Sequence, residues 1–245
     1  RKDKRWSTIG QSFGGFLTLS YLSFAPQSLR DSRITAGLAP IRTTVDNVYQ
    51  HTFDRMAERN KEYYEWFPED AALATRIAEH LRTHEEYLPT GERLTDHRFQ
   101  MAGHYLGGRW RERGLHYFLE TAFAEGDDRL SDQFLSSMSS EVSFLANPLY
   151  ALMHETIYAD GPADGTLPGI AGYELSPSPA PTNWAAARVA AQRPEFSPEA
   201  DTLFFTGEHI FPWYYEEDPA LRPLTDVAQI LAEKKDWGRL YDHEQ

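Results

Sequence analysis

The first forty residues hold a strand, a helix and a second strand in close succession, and this order constrains the fold more than any other feature. Residues 6–9 are short and β-prone, residues 13–24 form a compact apolar run that predicts a helix, and residues 33–38 form a second β-prone run. Two strands joined through a helix lie parallel in one sheet. We therefore predict a small α/β piece with parallel strands over residues 1–40.

A G-x-S-x-G motif, Gly10-Gln11-Ser12-Phe13-Gly14, occupies the turn between the first predicted strand and the helix. In a nucleophile elbow this turn lifts a serine hydroxyl out of the sheet, and small residues flank it because strand and helix crowd together there. The pattern predicts Ser12 as a catalytic nucleophile and the backbone N–H of Phe13 as a donor to the developing oxyanion. The alternative is a glycine-rich strand–helix turn with an inert serine.

From residue 41 onward the apolar residues recur with a helical period. A stripe over residues 45–56 predicts one helix, and Pro68 with the two acids after it predicts the start of the next. Further helices are predicted near residues 95–106, 113–124, 131–145, 148–158, 183–192 and 223–235. Ser131 and Asp132 are both candidate caps for the helix that begins there.

Two later segments differ from this helical pattern. Residues 160–181 hold four glycines and five prolines, which predicts an irregular loop. Residues 202–206 form another short β-prone run. We therefore divide the chain into an α/β piece over residues 1–40 and a mainly helical region over residues 41–245.

The composition excludes several classes of protein. The 245 residues include no cysteine, which excludes disulfides, cysteine-ligated zinc and a thiol nucleophile. The formal net charge of −13 argues against nucleic acid or an anionic membrane as the main partner and is compatible with a cationic ligand. No apolar run reaches the roughly 18–20 residues that span a bilayer, and no secretory signal pattern opens the chain, so we expect a cytoplasmic protein.

A serine nucleophile on an elbow needs partners, and in such hydrolases an Asp or Glu and then a His follow the serine. The chain has nine histidines, and none of them follows a run of predicted strands. No glycine-rich loop precedes Ser12 to supply a second oxyanion donor, and two strands do not complete a sheet. The chain therefore does not obviously supply the partners that a serine on such an elbow needs.

Two longer segments carry more information than the short motif. Residues 10–26 contain Gly-Gln-Ser-Phe-Gly-Gly-Phe and then Leu-Ser-Tyr-Leu-Ser-Phe-Ala-Pro, and residues 206–213 are Thr-Gly-Glu-His-Ile-Phe-Pro-Trp. These segments resemble the nucleophile segment and the end of the cap domain in the larger proline iminopeptidases (prolyl aminopeptidases), which are α/β-hydrolase serine peptidases. The resemblance covers most of the chain. It implies release of N-terminal proline from peptides, a helical cap inserted into an α/β-hydrolase core, and no metal or cofactor.

The resemblance also implies where each catalytic part belongs. Ser12 matches the family's nucleophile directly. The family's His-Gly-Gly-Pro-Gly oxyanion loop lies upstream of the nucleophile, and its catalytic Asp and His lie downstream of the cap. The resemblance therefore implies that the chain is a catalytically incomplete piece of a longer enzyme. Residues 1–40 would then be a partial core, and residues 41–245 the cap with the return toward the rest of the core.

In this family, glutamates of the cap hold the free α-amino group of the substrate. Two residues match by position: Glu208 in the Glu-His-Ile-Phe stretch and, more loosely, Glu155 in His-Glu-Thr-Ile-Tyr. Residues 130–187 and 194–221 contain no Lys or Arg, and seven acids stand among aromatic residues in the second stretch. Carboxylates beside aromatic faces suit a cationic amine with an apolar ring. The alternative is a solvated acidic face over core aromatics.

Other features of the chain point to alternative functions. His80 and His84 share a helix face at a spacing that zinc sites use, but the H-E-x-x-H order is absent, so we expect a solvated face and no metal. The functional alternatives are another α/β-hydrolase, such as an esterase, and a non-catalytic helical binding module. A requirement for a free amine would separate a peptidase of this kind from an esterase.

Overall fold

A computed structural model describes residues 4–40, 43–108, 110–126, 128–159, 181–235 and 240–241. The chain forms two compact units: the first contains residues 1–48, 154–183 and 230–245, and the second contains residues 49–153 and 184–229. The loop predicted over residues 160–181 lies outside the described residues, apart from residue 181. The division at residue 40 stays a prediction about the complete protein.

The first unit contains two parallel strands joined through a helix. Strand β1 is Trp6–Gln11, helix α1 is Phe13–Phe24 and strand β2 is Leu29–Thr35. The two strands pair in parallel, with Gly10 opposite Ile34. The predicted strand–helix–strand order is confirmed.

The second strand lies earlier in the chain than residues 33–38, so its predicted limits are wrong at both ends. Hydrogen bonds between polar side chains, which a hydrophobic pattern does not reveal, hold the start of β2 against β1. The Ser7 hydroxyl donates to the Asp31 carboxylate at 2.8 Å, and the Thr8 hydroxyl donates to Ser32 at 2.9 Å. These cross-strand pairs stabilise a polar stretch that the β-propensity pattern does not mark.

The strand–helix–strand piece leaves much apolar surface uncovered. The large apolar side chains that are half exposed or more in this piece are Trp6, Ile9, Phe13, Leu17, Phe24 and Leu38. Parallel sheets are normally covered on both faces. This surface is therefore of the kind that packs against further structure.

Helix α2, Val45–Trp66, begins in the first unit and continues in the second. The helices that follow are α3 Pro68–Thr83, α4 Asp96–Gln100, α5 Glu112–Glu120, α6 Asp132–Val142, α7 Pro148–Met153, α8 Ala185–Ala190, α9 Tyr214–Glu217 and α10 Thr225–Glu233. Short 3-10 helices cover Pro26–Ser28, Met101–Gly107, Glu155–Tyr158, Pro194–Phe196 and Arg222–Leu224. No described helix combines the length and the apolar character needed to cross a membrane.

The core of the second unit follows the predicted helical stripes. Tyr49 and Phe53 of α2 and Ile77 and Leu81 of α3 are all at most 1% exposed. The chain between α3 and α4 forms an antiparallel pair that the sequence did not predict, with strands β3 Glu86–Tyr87 and β4 Arg93–Leu94.

Helix α6 resolves the choice between the two candidate caps. The Ser131 hydroxyl accepts a hydrogen bond from the N–H of Phe134 at 3.0 Å, so Ser131 is the N-cap and Asp132 is the first helical residue. The helix ends three residues before the predicted limit of 145. The N–H of Phe144 instead donates to the buried Asp218 carboxylate at 3.1 Å, and this bond holds the chain outside the helix.

The β-prone run at residues 202–206 does not form a strand. Residues 203–211, called the 203–211 segment below, run as irregular backbone through the core of the second unit. The Asn60 side chain donates to the carbonyl of Phe205 at 2.9 Å and accepts from its N–H at 2.8 Å. The N–H of Thr206 donates to the Gln100 carbonyl at 3.0 Å. The hydrogen bonds that a neighbouring strand would make to this run come instead from the Asn60 side chain and from Gln100 at the end of α4.

Candidate functional site

Ser12 lies in the turn between β1 and α1 with backbone angles that non-glycine residues rarely adopt. Its φ is 52° and its ψ is −124°. The Ser12 N–H donates to the carbonyl of Thr35 at 3.1 Å, and its carbonyl accepts from the N–H of Gly15 at 2.8 Å. The side chain is exposed and makes no capping hydrogen bond. These contacts fix the backbone of the turn and do not use the hydroxyl.

Close backbone contacts explain the glycines around this turn. A Cβ on Gly10 would lie 2.1 Å from the carbonyl oxygen of Gly14, and a Cβ on Gly37 would lie 2.0 Å from that of Ser12. A Cβ on Gly14 itself would meet nothing within 4 Å. The crowding predicted for both motif glycines therefore holds for Gly10 but not for Gly14 among the described residues. The second crowded position is Gly15, whose Cβ would lie 2.1 Å from the Gly37 carbonyl oxygen.

Phe13 is the first residue of α1, and backbone N–H groups in the first helical turn have no partner inside the helix. The positive end of the helix dipole favours negative charge at the same place. The arrangement at Ser12 and Phe13 can therefore present a hydroxyl nucleophile next to a donor for an oxyanion.

The two predicted glutamates lie in different units. Glu155 belongs to the first unit, as Ser12 does, and is 7% exposed. It begins the 3-10 helix Glu155–Tyr158, and the Tyr158 ring packs edge-on against Phe16 of α1 at 6.3 Å between ring centres. Glu155 is thus a buried acid on an element that packs against the elbow helix.

Glu208 lies in the second unit, where it lines an open pocket of about 310 Å³. This pocket, called the Glu208 pocket below, is lined by one set of residues from several elements: His104, Arg111, Glu141, Ser143, Phe144, Ala146, Asn147, Tyr150 and Glu208. The wall therefore combines two carboxylates, one guanidinium and one imidazole with an aromatic surface.

Glu141 of α6 is the second carboxylate of the Glu208 pocket, and sequence reasoning did not select it. The Tyr105 hydroxyl donates to Glu141 at 3.0 Å, which orients the carboxylate. A signal was present, because Glu141 lies in the stretch 130–187 that contains no Lys or Arg. Nothing in its spacing, however, connects it with a residue 67 positions later in the chain.

His104 is the titratable group between these charges. Burial lowers the pKa of His104 below its usual range, against the attraction of Glu208 and Glu141, and Arg111 lowers it further. The imidazole is therefore neutral near pH 7. The pocket then carries two negative charges and one positive charge.

His209, directly after Glu208, has a structural role. Its ring stacks on Phe53 with 3.8 Å between ring centres, and it is 3% exposed. The N–H of Gly207 donates to Nδ1 at 3.2 Å, so the proton lies on Nε2, which is 3.0 Å from the Thr52 hydroxyl. These contacts fix the backbone beside Glu208 and leave His209 no free lone pair for a base.

One group of side chains in the described part of the chain has ligand atoms close enough for a metal ion. Glu69, Asp70 and His116 bring such atoms within 4.8 Å of one another. Asp70 is 1% exposed, accepts from the Tyr63 hydroxyl and lies 3.0 Å from His116 Nδ1. Its two partners account for the buried carboxylate without an ion.

The pair His80 and His84 does stack, at 4.3 Å between ring centres, and His80 Nε2 lies 2.7 Å from a Glu86 carboxylate oxygen. The rings are parallel, with 6° between their planes. The two rings therefore stack on each other, and His80 also pairs with Glu86.

Comparison with known proteins gives two curated relatives over nearly the whole chain. A proline iminopeptidase of Aeromonas sobria is 40% identical over 241 residues, which are 98% of this chain and 52% of that protein. The proline iminopeptidase aneH of Aspergillus aculeatus is 31% identical over 247 residues, which cover 98% of this chain and 50% of that protein. No family model matches the chain. The chain spans about half the length of the curated relatives it matches, in line with the expected piece of a longer enzyme.

Proposed function

We propose that the chain belongs to the proline iminopeptidase family of α/β-hydrolase serine peptidases and is the nucleophile-bearing part of an enzyme that releases N-terminal proline from peptides; its likeness to two curated proline iminopeptidases supports this. Strands β1 and β2 with α1 are then a partial α/β-hydrolase core. The rest of the sheet in a complete protein would cover the apolar surface that this piece exposes.

The observation that carries the proposal is the backbone of Ser12, which has a positive φ at the end of a parallel strand and before a helix. In the proposed reaction the Ser12 hydroxyl attacks the prolyl carbonyl, and the Phe13 N–H stabilises the oxyanion. The hydroxyl proton passes to a histidine base, which the family pattern places downstream of the cap, and then to the leaving amine. Water then cleaves the ester to release proline and restore Ser12.

The helical region over residues 41–245 is proposed as the cap with its return toward the core. Its Glu208 pocket offers a place for the substrate's amine. An N-terminal proline is a secondary ammonium with two N–H donors, and Glu208 and Glu141 supply two carboxylates in one pocket. An amine held in this way positions the first peptide bond and restricts the enzyme to N-terminal cleavage. Glu155, buried in the first unit, is the other candidate partner of the amine.

A labelling experiment on the full-length enzyme tests the nucleophile. A serine-directed phosphonate should label the wild-type enzyme and the Ser23→Ala variant, whose substitution lies on the same helix, but not the Ser12→Ala variant. Equal labelling of the Ser12→Ala variant would contradict the proposed role of Ser12.

The amine pocket is tested by charge removal without loss of volume. Glu208→Gln should raise KM for a prolyl arylamide roughly tenfold or more, since a hydrogen bond to a charged group is worth about 1.5–3 kcal/mol. An ester without a free amine should be much less affected. Glu141→Gln and Glu155→Gln decide which acid is the second partner, and the exposed Glu199→Gln serves as control. An equal loss on both substrates would count against amine recognition.

The alternatives make different predictions. An esterase would hydrolyse substrates whether or not they carry a free amine. Residues 1–245 alone are expected to show negligible prolyl-amide hydrolysis, and turnover that Ser12→Ala abolishes would contradict this. The cytoplasmic location and the absence of nucleic acid and membrane partners stay predictions.

A further inference from the structure

The Glu208 pocket contains a histidine that the proposed reaction does not use. His104 lies on the 3-10 helix Met101–Gly107, and its imidazole shares the pocket wall with Glu208 and Glu141. Its charge therefore decides whether the pocket is net negative or neutral.

The backbone keeps His104 beside Glu208. A Cβ on Gly103 would lie only 1.6 Å from the carbonyl oxygen of Thr206, so the helix touches the 203–211 segment directly. Gly103 immediately precedes His104, and Thr206 stands two residues before Glu208. Because both backbones are in contact at this point, the main chain that carries His104 stays next to the main chain that carries Glu208.

The charged and titratable groups that face His104 come from four elements. Glu208 belongs to the 203–211 segment, Glu141 to α6, Arg111 directly precedes α5, and Tyr150 belongs to α7. With His104 neutral, the two carboxylates exceed the single guanidinium by one charge. With His104 protonated, the pocket is electrically balanced before any ligand enters.

We propose that His104 is a specificity residue of the amine pocket: as a neutral imidazole it leaves both carboxylates to the substrate ammonium, and as an imidazolium it competes for them. This rests on the proposed function, because it takes the Glu208 pocket as the amine site. The ligand class is a secondary or primary ammonium, and the competing species is a single proton on His104.

Two measurable consequences follow. Ammonium binding should weaken as pH falls and His104 takes up one proton. The fall of kcat at low pH belongs to the catalytic base and should not depend on His104. By linkage, a bound ammonium should in turn make His104 harder to protonate. A purely structural role of His104 would move neither quantity.

The experiment uses the full-length enzyme and pyrrolidine, a cyclic secondary amine without a carbonyl, as a competitive inhibitor of prolyl-arylamide hydrolysis. For the wild type, the inhibition constant should rise as pH falls from about 7.5 to about 5, because a protonated His104 opposes a second cation in the same pocket. Because glutamine does not become protonated in this range, the inhibition constant of the His104→Gln variant should stay within about twofold. The exposed His84→Gln control should behave as the wild type.

An unchanged pH profile in His104→Gln would overturn the inference while leaving the proposed function in place. If His104→Gln does not fold, titration of the wild-type His104 ring by NMR, with and without saturating pyrrolidine, gives the same decision. A lower pKa with pyrrolidine supports the inference, and an unchanged pKa overturns it. Hydrolysis of prolyl substrates without inhibition by pyrrolidine at any pH would overturn the amine pocket and this inference together. Absence of prolyl hydrolysis would overturn the proposed function itself.

Discussion

Asn60 holds the 203–211 segment, and its replacement is the sharpest test of how the Glu208 pocket is supported. The side chain is fully buried and makes three hydrogen bonds, two of them to the backbone of Phe205. The third goes to the carbonyl of Met56, which also lies inside α2. Leucine has nearly the same shape and makes none of these bonds, so Asn60→Leu removes polarity while changing volume little.

The magnitude follows from the groups left behind. In the Asn60→Leu variant the N–H and the carbonyl of Phe205 lose their side-chain partner in a core where Phe205 is 0% exposed. A buried group that loses its partner costs about 1–3 kcal/mol. The two groups together should lower the free energy of unfolding by about 2–6 kcal/mol. A typical domain has about 5–15 kcal/mol in total, so the effect is large.

Asn60→Asp adds a pH test with a definite sign. The aspartate still accepts from the Phe205 N–H, but its charge faces the carbonyls of Met56 and Phe205, which should raise its pKa in the folded state above the unfolded value of about 3.9. The folded state then binds more protons than the unfolded state. Stability should therefore be greatest below about pH 4 for this group and fall as pH rises through the raised pKa.

Equilibrium urea unfolding followed by tryptophan fluorescence measures both effects. The exposed Gln133→Ala of α6 is the control and should change stability by no more than about 0.5 kcal/mol. A loss below about 1 kcal/mol in Asn60→Leu would refute the account of the 203–211 segment. So would an Asn60→Asp variant that becomes more stable as pH rises from about 4 to about 7.

Three further predictions concern the elbow, a cap and an ion pair. Gly37→Ala should reduce phosphonate labelling of the full-length enzyme at least about tenfold, because the new Cβ would lie 2.0 Å from the Ser12 carbonyl and displace the turn. Ser131→Ala should lower the free energy of unfolding by about 1 kcal/mol through loss of the α6 cap, measured by thermal unfolding. Burial alone would lower the pKa of His97, but its carboxylate partners, among them Glu217 at 2.6 Å, raise it to about 9. The stabilisation by this pair, about 1 kcal/mol, should be complete below about pH 6.5 and lost as pH rises through about 9.

Each of these predictions has a contrary outcome, and the first also has a matched control. Gly14→Ala should leave labelling nearly unchanged, since its Cβ has open space, and equal losses at both glycines would contradict the close-contact argument. An undiminished melting temperature in Ser131→Ala would show that the cap bond adds nothing. A His97→Gln variant should lose the stability change between about pH 6.5 and about 9, and a variant that keeps it would assign that change to another group.

Local signals predicted the strand–helix–strand piece and the helices well. The apolar stripes of α2 and α3 give helices because a period of 3.6 places one face against the core. The turn at Ser12 was predicted because only small neighbours fit where a strand turns directly into a helix, as at Gly10. The crowding expected at Gly14 is absent. The helix is crowded instead at Gly15, where it meets Gly37, a residue that is distant in the chain.

The predictions that failed involve partners far apart in the chain. The run at residues 202–206 has strand-like composition, yet its backbone groups pair with Asn60 and with Gln100. Strand β2 begins in a polar stretch because its side chains meet those of β1. Propensity describes a residue's preference on average and does not register which distant group satisfies its hydrogen bonds.

The sequence by itself pointed to Ser12 as the candidate nucleophile, through residue types at short fixed spacings, and its resemblance to proline iminopeptidases pointed to candidate amine-binding acids. Only the tertiary structure decided which acids share a pocket: it places Glu208 with Glu141 and His104 in the second unit, and Glu155 in the first. The physical reason is that the charge of a pocket is a sum over side chains brought together by packing. The packing here is fixed by buried contacts such as Gly103 against Thr206, between residues 103 positions apart in the chain.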